Sequence, residues 1–439
     1  MIRVLSGLFW LALYLAVVLS PLLLMLMPPT PAGRTFSTEL SAALGFIGLA
    51  QMGLQFVLIA RFRPVTEPYG IDIILQYHRQ IGLVSLALVS GHAVIVIGER
   101  PALLGSLSAP GGGRTALVTG LASIVAFMLL AGLSLGRQRV GLGYEAWRVS
   151  HTLLGLLMLG LAAAHVVEVG HYVNSGWKRF LWVAFAALMA AVLGYLRLVQ
   201  PLLLRSRPYR VVGVEPDRGR TWILAMEPDG HPGMRLLPGQ FAWIKLGDSA
   251  YNLQEHPFSF SSSAEAPERL ELGIKELGDF TARIGETPLD TRAYLDGPHG
   301  SMSIDRYPAA GYVFIAGGIG ITPIVSILRT MADRGDRRPA LLIYADDAWE
   351  NMPFRDEIEA LAGRIALDVV WVLESPPEGW QGETGWVTAE LLERHLPDER
   401  IERHFFICGP NPMIRSVESS LHGLGIPSRR IEAERFTLV

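Results

Sequence analysis

Six long apolar stretches fill the first 200 residues of this 439-residue chain, at about 4–27, 38–60, 72–98, 115–136, 149–169 and 180–200. Their cores are uncharged over long runs: 22 residues in Thr115–Gly136, 20 in Ser41–Ala60 and 19 in Val149–Val167. A helix needs about 20 mainly apolar residues to cross a bilayer, so each stretch is expected to span. The first also has the length of a signal peptide. It lacks a small-residue cleavage site and ends in Met27-Pro28-Pro29, so it is expected to remain as a span.

Charge divides the chain at the same place. Residues 1–205 carry 14 Lys and Arg against 6 Asp and Glu, a net +8, and the remainder carries 24 against 35, a net −11. A basic apolar half followed by an acidic half reads as a membrane portion and a soluble portion. No basic tract argues for nucleic acid, and no protein partner is evident. In the loops, Arg3, Arg61, Arg63, Arg137, Arg139, Arg148, Arg197, Arg205 and Arg207 fall on one side. Arg34, Arg100, Arg114, Lys178 and Arg179 fall on the other. This bias places both termini and the acidic half in the cytosol, with the spans in the plasma membrane. The single Cys408 agrees with a reducing compartment. It also excludes a disulfide framework and Cys-ligated zinc or iron–sulfur centres.

Beyond about 206 the texture changes. Short alternating apolar runs at Tyr209–Val214, Thr221–Met226, Gln240–Leu246 and Leu270–Lys275, separated by Gly and Pro, read as an antiparallel barrel. From about 310, strands alternate with helices. Tyr312–Ala316, Ala340–Tyr344, Asp368–Leu373 and His404–Cys408 read as strands, and Thr322–Asp333 and Phe354–Leu361 as helices. That alternation implies an α/β doubly wound parallel sheet. The expected architecture is a membrane all-α six-helix bundle over 1–205, an antiparallel β-barrel over 206–306 and the α/β domain over 307–439.

Four of the eleven histidines lie inside spans: His78 and His92 in the third, His151 and His165 in the fifth. Both separations are 14 residues, close to four full turns, so each pair shares one helix face about 21 Å apart along the axis. The two helices run in the same direction. His78 can face His151 near the cytosolic side, and His92 can face His165 nearer the outside. Ionisable groups inside a membrane are costly and mark function. Haem iron accepts two axial imidazoles, and helical bundles hold haem between facing helices. The pattern reads as two stacked haem sites. Hydrogen bonding between helices and a proton path are the alternatives. Gly82, Gly91, Gly155 and Gly160 are expected to leave room beside the histidines, and His171 to sit at the interface.

In the soluble half, His256-Pro257-Phe258-Ser259-Phe260-Ser261-Ser262 combines hydroxyls with flat aromatics, which suits a flavin edge and face as well as a plain Ser-rich turn. Leu277-Gly278-Asp279-Phe280-Thr281 feeds a short helix whose first N–H groups suit a pyrophosphate; a simply capped helix is the plain alternative. Tyr312–Gly317 runs into Gly318-Ile319-Gly320-Ile321-Thr322-Pro323, a strand entering a Gly-rich turn and a helix. Cys408-Gly409-Pro410-Asn411-Pro412-Met413 repeats that logic at a later strand end, where such sheets bind ligands. Asp346 and Asp347 follow the second strand; carboxylates there suit a free ribose 2′-OH.

The order HPFS, LGDFT, DGPHG (Asp296–Gly300), AGGIGITP, CGPNPM and a terminal Glu434-Arg435-Phe436 resembles the ferredoxin–NADP reductase superfamily. With six spans and paired histidines ahead of it, and Tyr144-Glu145-Ala146-Trp147-Arg148 leading to His151, nearly the whole chain resembles the ferric reductase / NADPH oxidase family. That resemblance implies FAD, two b-type haems on His78, His92, His151 and His165, and electron flow from cytosolic NAD(P)H to oxygen or a ferric chelate outside. It implies that Ser259 lies near the reactive flavin nitrogen, with His256, Pro257 and Phe258 lining the ring. Gly278 and Thr281 would hold the pyrophosphate. Gly317, Gly318, Gly320 and Thr322 would meet the nicotinamide cofactor, and Cys408, Gly409 and Pro410 would lie near the hydride. Phe436 would cover the flavin. No side chain need act as a general acid or base. Superoxide-forming members carry a further histidine four residues after the outer ligand, where this chain has Val96; Glu99 and Glu168 are the nearest outer carboxylates. Two other classes remain open: a haem-free transporter or channel with a regulatory nucleotide-binding domain, and a flavoreductase with a structural anchor.

Overall fold

The computed structural model describes residues 2–66, 69–107 and 112–435. It divides into two compact units, Met1–Tyr69 with Ile73–Val199 and Gly70–Asp72 with Gln200–Val439. Phe436 lies outside the described residues.

The first unit is helical. Its six long helices are α1 (Ile2–Met25), α2 (Phe36–Leu58), α3 (Ile71–Glu99), α4 (Gly112–Gly136), α5 (Tyr144–Val169) and α6 (Gly176–Gly194). All six are long and apolar enough to cross a membrane. The stop signals are local. Thr35 caps α2 by accepting from the Thr38 amide, and Gly170 ends α5 at φ +64°, a conformation that favours glycine. Helix contact inside a membrane comes from close packing of small residues. Gly53 fits this rule, since a Cβ there would stand 2.3 Å from the Phe185 ring on α6. Met25, Leu49, Phe56, Leu159, Trp182 and Met189 form the main core of this bundle. Helix α3 is the exception. Only 6% of its apolar window is buried, against 50% for α2, although α3 carries two of the four paired histidines.

The second unit holds two sheets. The first has the order β4-β3-β6-β1-β2-β5, all antiparallel. Its strands are β1 (Tyr209–Asp217), β2 (Thr221–Pro228), β3 (Phe241–Leu246), β4 (His256–Ser259), β5 (Leu270–Lys275) and β6 (Arg292–His299). A bridge between Phe260 and Leu272, just past β4, closes the curl against β5. Two of these strands, β4 and β6, have no alternating apolar signal. They are polar or interrupted by Pro and Gly, and cross-strand pairing alone makes them strands.

The second sheet has the order β10-β9-β8-β7-β11-β12 and is parallel throughout. Its strands are β7 (Tyr312–Gly317), β8 (Ala340–Asp346), β9 (Leu367–Leu373), β10 (Glu383–Thr384), β11 (His404–Cys408) and β12 (Ile431–Glu434). Helices α7 (Ile321–Asp333) and α8 (Arg355–Ala362) cover one face, and α9 (Ala389–His395) and α10 (Asn411–Gly423) the other. The period of two is visible in β7: Tyr312, Phe314 and Ala316 pack toward α7, while Val313 and Ile315 pack toward α10. The strand order reverses between β7 and β11, and crevices for ligands open at such reversals.

Candidate functional site

In the membrane unit the four histidines meet in the expected pairs. The ring centres of His78 and His151 are 6.2 Å apart, and those of His92 and His165 are 6.1 Å apart. Neighbouring helices set the ring orientation. The Ser41 hydroxyl donates to the His92 carbonyl, and His92 Nδ1 lies 2.9 Å from the Ser41 carbonyl. His165 Nδ1 lies 2.7 Å from the Ala116 carbonyl. A carbonyl only accepts, so these rings carry their proton on Nδ1. The Ser134 hydroxyl donates to the Leu130 carbonyl at 2.7 Å and receives Trp147 Nε1 at 3.3 Å. His151 Nδ1, 2.9 Å away, therefore donates to Ser134 as well. In all three, Nε2 keeps its lone pair, as metal-binding histidines do.

The glycines expected to leave room are open or loosely surrounded. A Cβ at Gly82 or Gly160 would meet nothing within 4 Å, and at Gly91 and Gly155 only Leu44, Phe56 and Leu130. The close approaches are at Gly120, where a Cβ would stand 2.7 Å from His165, and at Gly45, 3.1 Å from His92. These glycines sit on α4 and α2, facing the histidines across helix contacts, which spacing within α3 and α5 could not reveal. His171 is held by Arg34, whose Nε donates to its Nε2 at 2.8 Å, and it meets Tyr172 edge-on.

In the barrel, two motifs 20 residues apart come together. The His256 ring stacks on Phe280 at 4.2 Å, and Phe258 lies parallel to Phe280 at 6.2 Å. Pairing of β4 with β3 puts His256 and Phe258 on one face and Pro257 and buried Ser259 on the other. Near Phe280, Thr281 Oγ1 accepts from the Leu277 and Gly278 amides at 2.8 and 3.0 Å. The turn itself thus takes up the Leu277 and Gly278 amides, ahead of the short helix Thr281–Glu286. The carbonyls of Ser261 and Ser262 and the hydroxyl of Ser263 meet α7.

At the reversal of the parallel sheet, the two glycine turns abut. A Cβ on Gly320 would stand 2.3 Å from the Cys408 carbonyl oxygen, and one on Gly409 would stand 3.0 Å from the Gly317 amide. A Cβ on Gly317 would meet Met413 and Pro410. Gly318 adopts φ +54°. The crossing is thus closed by backbone, leaving room for nothing larger than hydrogen. Thr322 is buried and its hydroxyl donates back to the Ile319 carbonyl at 2.9 Å, so it fastens the turn.

Cys408 pairs in register with Ala316 on one side and Glu434 on the other. Burial pushes its thiol well above the usual range, and neighbouring Glu434 adds to this, so it stays protonated. Glu434 was not singled out by its position in the sequence. It is 8% exposed, its Oε2 has no hydrogen-bond partner, and burial pushes its carboxyl well above the usual range. Asp346 ends β8 beside Gly318. Its buried Oδ2 has no partner, and burial pushes its carboxyl up to about 6.

Three protein families match in order along the chain: the ferric reductase like transmembrane component over residues 44–162, an FAD-binding domain over 224–315 and an oxidoreductase NAD-binding domain over 314–419. The stachydrine N-demethylase reductase subunit Stc4 of Rhizobium meliloti is 32% identical over 217 residues, 46% of this chain and 58% of that protein. The NADH-cytochrome b5 reductase 1 of Cryptococcus neoformans is 32% identical over 165 residues, 35% of this chain and 56% of that protein. The matches thus span just over half the length of these relatives. Among solved structures, a flavohemoglobin from Malassezia yamatoensis with bound FAD and heme aligns at TM-score 0.50 and 15% identity, covering 92% of this chain and 99% of that one. That likeness concerns the fold alone.

The tight crossing at Gly320 makes a direct prediction. Gly320→Ala has to push the Cys408–Gly409 backbone away, which misplaces both turns. The KM for NADH in flavin reduction is expected to rise about tenfold, equivalent to about 1.4 kcal/mol, with bound flavin retained. An unchanged KM in steady-state assays counts against the reading.

Proposed function

From a chain with the architecture of the ferric reductase/NADPH oxidase-like flavocytochromes, we propose transmembrane electron transfer from cytosolic NAD(P)H through FAD and two b-type haems to an acceptor on the outer face of the plasma membrane. When bound, a flavin would supply the link between the two-electron chemistry of nicotinamide and the one-electron chemistry of haem iron. The chain's own residues hold and orient. His256, Phe258 and Phe280 form the aromatic shelf of the flavin site, with Pro257 and Ser259 on the opposite face of their strand. Gly278 and Thr281 shape the turn beside it. Gly317 and Gly320 close the crossing with the Cys408–Gly409 turn, and open Gly318 lets backbone approach the cofactor phosphates at the α7 N-terminus, where the helix dipole favours negative charge. Gly409 and Pro410 bound the nicotinamide side, next to a neutral Cys408. Phe436 is assigned to cover the flavin ring from its family position.

The observation that carries the haem reading is the ring separation. Metal–imidazole bonds of about 2.0–2.1 Å on both sides of one ion would set the ring centres a little over 6 Å apart, as in both pairs. Two histidines supply only two ligands, and among the described residues no group of three or more His, Cys, Asp or Glu could hold a metal ion. A macrocycle that brings four nitrogens of its own fits that donor set. The low protein coverage of α3 leaves space for it. Loop Lys and Arg favour the cytosolic placement of both termini and of the dehydrogenase half.

Two haems per chain are therefore expected in the reduced visible spectrum of purified protein. His92→Leu with His165→Leu should remove one and leave the other, and His78→Leu with His151→Leu should do the converse. Full haem content in either double variant would falsify the pairing. Flavin without any haem signal would instead favour an anchored flavoreductase, and neither signal a transporter.

NADH is expected to serve at least as well as NADPH. The buried Oδ2 of Asp346 suits a ribose 2′-OH donor and repels a 2′-phosphate. Because burial lifts this carboxyl to about 6, it gains its charge only as pH rises past that value. The KM for NADH should fall between about pH 5 and about pH 7, and Asp346→Asn should flatten that slope. A kcat/KM for NADPH about tenfold above that for NADH would overturn the assignment.

At the outer end, the described residues offer no cluster of carboxylates for a dedicated ferric site, and Glu168 stands exposed near the end of α5. Glu99 accepts from Ser37 and from Thr38, the latter at 2.6 Å, and Glu39 accepts from the Arg34 amide at 2.9 Å. Val96 offers no polar group for oxygen. A haem held there without such groups would leave its edge open to any oxidant that arrives, so the purified protein is expected to form superoxide in air and to reduce a ferric chelate under argon. Cytochrome c reduction with and without superoxide dismutase, beside a chelate assay, checks this. Loss of either activity makes the acceptor dedicated and sinks the dual reading.

A further inference from the structure

Along α7, Thr322, Ser326, Arg329 and Thr330 are spaced by four, three and one residues, which sets them on one flank of the helix. Thr322, Ser326 and Thr330 are fully buried. Buried polar groups need partners, and three residues of this flank find theirs in the flavin barrel. The Ser326 hydroxyl donates to the Ser262 carbonyl at 2.7 Å and receives the Gly239 amide at 3.3 Å. Thr330 Oγ1 accepts from the Ala264 amide at 2.9 Å. Arg329 Nη1 donates to the Ser261 carbonyl at 3.0 Å and to Glu271 Oε2 at 2.6 Å. The gripped segment, 261–264, follows directly on the His256–Ser259 strand.

The other edge of the Arg329 guanidinium goes to Glu357, through Nη2 at 2.8 Å and through Nε. The two carboxylates differ in kind. Glu357 lies on α8, inside the nicotinamide-binding domain that also contains Arg329. Glu271 lies on β5 of the barrel, so of the two carboxylates only Glu271 ties α7 to the barrel. Apolar packing does not back this contact from outside, because a cleft of about 420 Å³ opens there, lined by Ser262, Arg269, Arg329 and Glu357 among others. The helix that makes the contact is the one that starts at the Gly318–Gly320 turn.

We propose that Arg329 is a positioning residue for hydride transfer: through Glu271 and the Ser261 carbonyl it sets the attitude of the nicotinamide-binding domain against the flavin barrel. This rests on the reading that the two domains exchange a hydride. Reacting atoms must lie about 3–3.5 Å apart, and a misplacement of about 1 Å can cost 10²-fold in rate. A tilt of α7 would carry the glycine turn with it, whereas the binding contacts of the nicotinamide nucleotide within its own domain would stay as they are.

The test uses full-length, flavin-loaded protein mixed rapidly with NADH, with flavin bleaching as the readout. Glu271→Gln keeps the side-chain size and leaves Arg329 paired with Glu357. It is expected to slow bleaching about tenfold with NADH affinity unchanged within about twofold, since geometry and not binding is lost. Glu357→Gln, which cuts no link between domains, is expected to stay within about twofold of native. Bleaching at the native rate in Glu271→Gln, or equal slowing in both variants, overturns the proposal. Arg329→Lys tests the same arm if Glu271→Gln does not retain flavin: a lysine lacks the fork that serves both carboxylates. It is expected to bleach several-fold more slowly than native, and a native rate again overturns the proposal. Native protein bleached by dithionite and not by NADH would defeat the underlying hydride-transfer reading instead.

Discussion

An imidazole inside hydrocarbon has two nitrogens to satisfy, and the membrane unit is organised around that requirement. Three of the four paired rings give Nδ1–H to a neighbouring helix, to the carbonyls of Ser41 and Ala116 or to the hydroxyl of Ser134. Once that proton is committed, Nε2 is left as an acceptor. The same bonds dictate how closely the helices approach. Gly45 and Gly120 are the points where His92 and His165 press against them, tightly at Gly45 and with no room for a Cβ at Gly120. Trp147, just before the fifth-span histidine, fastens Ser134 and through it the ring of His151.

The second unit solves a different problem, that of bringing two cofactor-binding regions together, with Ile223 of the barrel packed against the core of the parallel sheet. Backbone does most of it. Gly317, Gly320 and Gly409 let the ends of β7 and β11 touch at the sheet reversal, while the flank of α7 grips the chain just after β4. One helix therefore carries the glycine turn at its start and the barrel contact along its side. The serines after His256–Ser259 illustrate what composition leaves unsaid. Their hydroxyls read as flavin-facing, while their backbone has a second use: the carbonyls of Ser261 and Ser262 and the Ala264 amide serve α7.

Much of this was legible from residues alone, because some signals are one-dimensional. Span length, loop charge and strand–helix alternation are properties of consecutive residues, and all six helices and the central parallel strands follow from them. The 14-residue spacing of His78 with His92 and of His151 with His165 needed only the pitch of a helix. The Gly-rich turn after Tyr312–Gly317 announced itself by its place between an apolar strand and a helix.

The rest depended on which residues meet across space. Strands β4 and β6 carry no periodic apolar signal and exist because β3 pairs with both of them. The glycines that admit His92 and His165 lie on other helices, so no pattern within α3 or α5 points to them. Thr281 and Thr322 turned inward to fasten their own turns, since a hydroxyl beside open backbone groups takes the nearest partner. Glu434 and Asp346 acquired unusual protonation from burial at strand ends, and Arg329 its role from a carboxylate 58 residues away. The sequence by itself determined the elements, their order and the residue types available for chemistry, because periodicity and composition are local. Only the tertiary structure decided which nitrogens stay open and which hydroxyls are spent, because a polar group's partner is chosen by proximity in the folded chain.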